Sequence, residues 1–105
     1  PINFKYTLEN YPVAIIGEYE NWYKIRDKDG DEGWLNKNLT TKRRYVITLS
    51  NQQIMYERNN IKSRPLYILE KDVIGKLDKC IDEDWCKIEV EGRNGWLKRE
   101  DIWGD

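Results

Sequence analysis

The chain has 105 residues, 35 % of them charged, and its 18 Lys+Arg against 19 Asp+Glu leave a net charge of −1. That balance counts against a dedicated nucleic-acid binder, which carries a basic excess. The absence of histidine removes His-based acid–base chemistry, Ser–His and Cys–His nucleophile pairs, and the commonest transition-metal ligand, so no catalytic residue, metal site or cofactor is expected.

In chain order, PINFKY (1–6) is all that precedes the apolar tract TLENYPVAII (7–16). The chain opens at Pro1, not Met, which suggests a processed or trimmed piece. Then comes WYKIRDKDGDEGWL (22–35), where alternation reads as short strands and GDEG (30–33) as a hairpin connection. KNLTT (37–41) suits one short 3₁₀ or α turn. TTKRRYVITLSN (40–51), a basic run followed by a strand, is the expected boundary between a unit at 1–44 and one at 45–105. QQIMYERNNIKSRPLY (52–67) is an apolar stretch, a polar loop and a proline. ILEKDVIGKL (68–77), the polar turn IDED (81–84), the strand KIEVE (87–91), the connection GRNG (92–95) and a short turn in KREDIW (98–103) complete the chain. No segment sustains helical periodicity, and no apolar run approaches the roughly 18 to 20 residues that span a bilayer.

The chain is internally duplicated. Residues 22–35 and 85–97 both read Trp-x-Lys-Ile, a polar stretch, then Gly-x-x-Gly-Trp-Leu. Trp22, Lys24, Ile25, Gly30, Gly33, Trp34 and Leu35 answer Trp85, Lys87, Ile88, Gly92, Gly95, Trp96 and Leu97. Upstream the match is fainter, through Leu8/Leu69, Glu9/Glu70 and Val13/Val73. Because 52–67 has no counterpart ahead of the first copy, the first unit is expected to lack its N-terminal strand. Many short strands with close turns predict an all-β chain of two small barrels. Units this small need mutual support, so the two are expected to pack together.

Side chains alternate along a strand. Cys86, Ile88 and Val90 form the apolar face of 85–90, which sends Trp85 outward with Lys87 and Glu89. The same parity sends Trp22 outward with Lys24 and Arg26, and Trp34 and Trp96 opposite to the core residues Leu35 and Leu97. Two readings follow. The tryptophans pack across strands on Lys and Arg stems or where the repeats meet, or they line a groove for an extended ligand.

PVAIIGEYENWYKIRDKDGDEGWLNKNL and VIGKLDKCIDEDWCKIEVEGRNGWLKREDIWG resemble the tandem bacterial SH3-like domain proteins of the alphaproteobacterial exported type. The resemblance implies two small, strongly bent SH3-like β barrels in the periplasm or cell envelope, with peptidoglycan, cell-wall peptide or a protein as ligand. In peptide-binding SH3 domains the Trp opening the third strand and the aromatic after the second Gly line the proline-rich groove. Trp22 and Trp34, and Trp85 and Trp96, stand at those places. Tyr56 is the one stand-in for the opening aromatic motif. The groove proline is replaced by Asn36 and Lys98, and the closing Tyr by Leu39 and Asp101, which counts against polyproline recognition. Trp103 suits a barrel mouth or the partner repeat equally.

Cys80 and Cys86 flank the 81–84 turn, and register decides whether they meet. In an exported protein a disulfide is expected; in a reducing compartment they are two small buried thiols. Asp27, Asp29, Asp31 and Glu32 lack the calcium-loop spacing and read as a solvated hairpin; Asp82, Glu83 and Asp84 read as turn residues. Lys42, Arg43 and Arg44 read as a solvated connector. The leading expectation is a non-catalytic binding module acting through Trp-lined faces formed by Trp22, Trp34, Trp85, Trp96, Tyr56 and Trp103. The alternative is a structural or assembly protein whose aromatic faces are buried between the repeats or in a homodimer. A wall-degrading hydrolase comes last, having neither the residues nor the room.

Overall fold

A computed structural model describes residues 3–7 (backbone), 10–41 and 44–105; Leu8, Glu9, Lys42 and Arg43 lie outside the described residues. The described chain is strand and turn, in two antiparallel sheets. The first comprises β1 (Asn3–Thr7), β2 (Pro12–Tyr19), β3 (Trp22–Arg26), β4 (Glu32–Asn36) and β5 (Thr40–Thr41), in the order β4-β3-β2-β1-β5. The second comprises β6 (Tyr45–Thr48), β7 (Gln53–Tyr56), β8 (Pro65–Leu69), β9 (Ile74–Ile81), β10 (Trp85–Val90), β11 (Arg93–Lys98) and β12 (Ile102–Trp103). Its order is β12-β6-β9-β10-β11-β7-β8. Short 3₁₀ turns at Lys37–Leu39 and Arg99–Asp101 follow β4 and β11, in the two segments expected to turn.

The duplication holds at the level of register. The β2–β3 ladder shifts between Ile15 and Gly17, and the β9–β10 ladder shifts at the same place, between Leu77 and Lys79. Counted from these bulges, Ile15 answers Leu77 and Val13 answers Gly75, not Val73. β1 lies between β2 and β5, with Tyr6 opposite Pro12 and Thr41. β6 lies likewise between β9 and β12, with Ile47 opposite Ile74 and Trp103. β1 therefore stands in the place of β6, and what the first repeat lacks, among the described residues, is a counterpart of the segment 52–67. β1 ends at Thr7 and β2 begins at Pro12, whereas β6 ends at Thr48 and β9 begins at Ile74, with the β7–β8 hairpin between them.

That hairpin closes the second barrel. In a flat sheet β12 and β7 would lie about 24 Å apart, at about 4.8 Å per strand. Instead Met55 of β7 and Ile102 of β12 share one buried cluster with Val46, Leu77, Cys86, Ile88 and Leu97, so the sheet is rolled. Gln53 Nε2 donates to the Asp101 carbonyl at 2.8 Å, and the Leu49 N–H donates to the same oxygen at 3.0 Å. Thr48, also buried, donates from its hydroxyl to the Glu70 carbonyl at 2.7 Å and accepts from the Val73 N–H at 2.8 Å. These bonds tie both ends of the hairpin excursion to the barrel.

Among the described residues the first sheet shows no such closure. Leu77, Cys86, Ile88 and Leu97 are buried, but the residues that answer them, Ile15, Tyr23, Ile25 and Leu35, are only half-buried. Among its residues of described burial, the fully buried ones are Pro12, Val13 and Ala14, at the start of β2 where that strand meets β6. Across the same junction Lys28 Nζ pairs with Asp72 at 2.9 Å, its side chain 7 % exposed. The hydrogen bonds to Asp72 and Asp29 hold the Lys28 ammonium well above its usual pKa.

Cys80 and Cys86 stand directly opposite on β9 and β10, with Cα atoms 3.9 Å apart, and are joined as a disulfide. The bond closes a short loop, so the chain-entropy model limits its contribution to about 2 kcal/mol. Reduction is expected to lower the unfolding free energy by that amount, read from urea midpoints with and without reductant. An unchanged midpoint would mean the ladder alone constrains this hairpin.

Candidate functional sites on the two aromatic faces

On the first sheet Trp22, Lys24 and Arg26 of β3 stand opposite Asn36, Trp34 and Glu32 of β4. Directly opposed residues share a face, so both tryptophans emerge on one side, Trp22 46 % and Trp34 55 % exposed. They are not buried between the repeats. Tyr19, opposite Trp22 across a two-residue turn, joins them, and the three rings line an open apolar hollow. Sequence parity did not single out Tyr19. Its signal was its place three residues ahead of Trp22, which a tight hairpin brings alongside. Glu32 is bound by Arg26 at 3.0 Å and Lys24 at 3.6 Å. The Arg26 guanidinium holds the Glu32 carboxyl below the usual carboxylate range. That pairing is intact above the ordinary carboxylate pKa and is lost as pH falls through the lowered one.

The neighbouring hairpin loop is internally bonded. Asp27 Oδ1 accepts from the Asp29 N–H at 2.9 Å and the Asp31 N–H at 3.0 Å, so its lone pairs serve the turn. The group formed by Cys80, Cys86 and Asp105 brings three ligand-type atoms together, but both sulfurs are in the disulfide.

On the second sheet Trp96 stands between Lys87 and Tyr56, and Trp85 between Ile81 and Lys98. The Tyr56 ring meets Trp85 edge to face, with centroids 5.8 Å apart. Trp85, Trp96 and Tyr56 are thus brought together, and all three are half-buried. Trp103 lies on β12 opposite Ile47, also half-buried, and lines neither aromatic hollow.

Trp85 forms one wall of a hollow of about 500 Å³. Asn60 and Ile61, in the loop after β7, form a second wall; Glu83 and Asp84, in the turn before β10, a third; Lys98 and Glu100 complete the rim. Both loops are held in place. The Ser63 hydroxyl donates to the Asn60 carbonyl at 2.7 Å, and the Lys62 N–H donates to Asn60 Oδ1 at 2.8 Å. Across the hollow the Asp84 N–H donates to Asp82 Oδ1 at 2.8 Å, and Arg99 Nη1 donates to the Asp82 carbonyl at 3.0 Å. Glu83 and Asp84 read in sequence as solvated turn residues; here they turn a hollow next to an indole acidic. Nothing local announces that, because the facing loop lies more than twenty positions earlier in the chain.

Two sheets of short antiparallel strands, the second rolled into a barrel, each presenting a tryptophan pair on its outward face, fit small β-barrel modules of the SH3-like class. The profile of the bacterial SH3 domain family matches residues 2–42 and, a second time, residues 50–104. The chain belongs to that family, as a tandem pair. No curated protein and no solved structure matches it.

Proposed function

We propose that this chain is a non-catalytic binding module of the bacterial cell envelope that holds a cell-wall peptide, the stem of peptidoglycan first among them. The observation that carries the reading is the Trp85 hollow, set between two internally bonded loops and rimmed by three carboxylates, Glu83, Asp84 and Glu100, against one cation, Lys98. An indole face beside carboxylates suits a ligand that combines an aliphatic stem with a free amine, as a diamino acid of a stem peptide does. The Cys80–Cys86 disulfide fits an oxidising compartment outside the cytoplasm. Among the described residues no helix is long and apolar enough to cross a membrane.

The test is co-sedimentation with purified peptidoglycan, followed by titration of soluble stem peptides monitored through tryptophan fluorescence. Trp85→Ala is expected to weaken binding at least about tenfold, which corresponds to about 1.4 kcal/mol. Absence of binding to both sacculi and stem peptides overturns the reading.

A further inference from the structure

Much of the surface charge of this chain is paired: Glu32 with Arg26 and Lys24, Glu18 with Lys37, Glu57 with Arg64, and Asp105 with Arg99. Around the Trp85 hollow the pattern stops. Glu83, Asp84, Glu100 and Lys98 all line it, yet among the described residues none of the four makes an ion pair. The bonds that Asp84 does make run through its backbone: its N–H donates to Asp82 Oδ1, and its carbonyl accepts from the Arg99 N–H at 2.8 Å. Its carboxylate is left to the hollow. Lys98 stands directly opposite Trp85 in the β10–β11 ladder, so its stem and the indole emerge side by side on one face. Glu83 and Asp84 lie in the turn just before Trp85, and Glu100 lies in the 3₁₀ turn just after Lys98. Ile61, 57 % exposed, offers an aliphatic wall. One indole is thus ringed by uncommitted charges of both signs.

We infer that the Trp85 hollow reads a zwitterionic end group, a carbon bearing both a free ammonium and a free carboxylate on an aliphatic stem, and that Lys98 tells it from a plain amine. The inference rests on the reading of the hollow as a stem-peptide site, and it narrows that reading to one kind of diamino acid. Diaminopimelate joined to a peptide through one end carries such a group at the other, whereas lysine in the same place carries an ammonium alone. The methylenes lie along Trp85 and Ile61, the ammonium turns to Glu83, Asp84 and Glu100, and the carboxylate turns to Lys98. Three carboxylates by themselves attract any cation. A lysine among them repels a simple amine, and that cost is recovered only by a ligand that also brings an anion. Neutralising its neighbours is not the role of Lys98, because it stands within ion-pair distance of none of them. Packing its stem beside the indole is a role that a methionine would fill equally well.

The test uses the full chain and three synthetic tetrapeptides, L-alanyl-γ-D-glutamyl-X-D-alanine, followed through the Trp85 indole N–H signal in two-dimensional NMR. X is meso-diaminopimelate, the same residue with its free end carboxylate amidated, or lysine. The diaminopimelate peptide is expected to bind at least about fivefold more tightly than the other two, which bind alike. Lys98→Met keeps an apolar stem beside the indole and is expected to bring all three peptides within about twofold of one another, with the unfolding midpoint unchanged. Lys98→Arg, which restores the cation, is expected to keep the preference. Equal binding of the acid and its amide by the parent, a comparison that needs no variant, overturns the inference and leaves the stem-peptide reading standing. So does a preference that survives Lys98→Met. A Trp85 signal that stays fixed at millimolar concentrations of every peptide overturns both.

Discussion

Gly95→Val is expected to cost about 3 to 5 kcal/mol, while Gly33→Val leaves stability within about 0.5 kcal/mol of the parent. The first added carbon at Gly95 falls 2.2 Å from Met55 Cγ, 2.5 Å from Sδ and 3.2 Å from the Tyr56 carbonyl oxygen. Methionine is flexible, but Met55 is 0 % exposed and closes the cluster that joins β7 to the rest of the barrel. Moving it gives up its burial and the Tyr56–Trp96 pairing together. A loss of this size takes a large share of the roughly 5 to 15 kcal/mol that holds a small protein folded. At Gly33 the new side chain meets open space on a strand, where a β-branched residue is well suited. Urea denaturation of both variants, followed by far-UV circular dichroism, checks the pair. Equal losses at the two sites would show that both glycines serve their own backbones, and that Met55 has no part in the difference.

These two glycines also show where sequence reasoning reaches its limit. Turn chemistry assigns all of Gly-x-x-Gly to the hairpin connection. Only the first glycine of each copy behaves so, Gly30 with φ 88° and Gly92 with φ 80°. The second glycine already lies in a strand, and the reason for Gly95 sits on β7, forty residues earlier in the chain. Alternation, tight turns and the Trp-x-Lys-Ile repeat are local patterns, and from them the all-β fold, the duplication and the outward tryptophans were legible. The place of β1 was not. Matching letters aligned TLEN with ILEK, but strand pairing, counted from the bulge at Ile15–Gly17, puts β1 where β6 stands. The acidic wall at Glu83 and Asp84 was hidden for the same reason: its meaning depends on Asn60 and Ile61 across a gap that only the fold closes.

Gly104→Ala is expected to cost about 2 to 4 kcal/mol and to loosen the coupling between the two repeats. Gly104 has φ 108°, a conformation that L residues rarely adopt, so any side chain there is strained. Contact adds to the strain, because the new carbon would lie 2.8 Å from Pro12 Cβ and 3.0 Å from the Tyr45 carbonyl oxygen. Neither neighbour can bend aside. One belongs to a proline ring fully buried at the start of β2, the other to the backbone of β6. Relief therefore comes by moving β2 away from the second barrel, at the junction that also carries the Lys28–Asp72 ion pair. Gly92→Ala is the control. Its φ is 80° but nothing lies within 4 Å, so it carries the backbone strain alone, about 1 kcal/mol. Urea unfolding monitored separately at the Trp34 and Trp85 indole signals is expected to show coincident midpoints in the parent and in Gly92→Ala. In Gly104→Ala the first repeat, whose Ile15, Tyr23, Ile25 and Leu35 are only half-buried, is expected to melt earlier than the second. If Gly104→Ala costs no more than Gly92→Ala and the midpoints stay together, Pro12 does not couple the repeats and the first sheet stands on its own contacts.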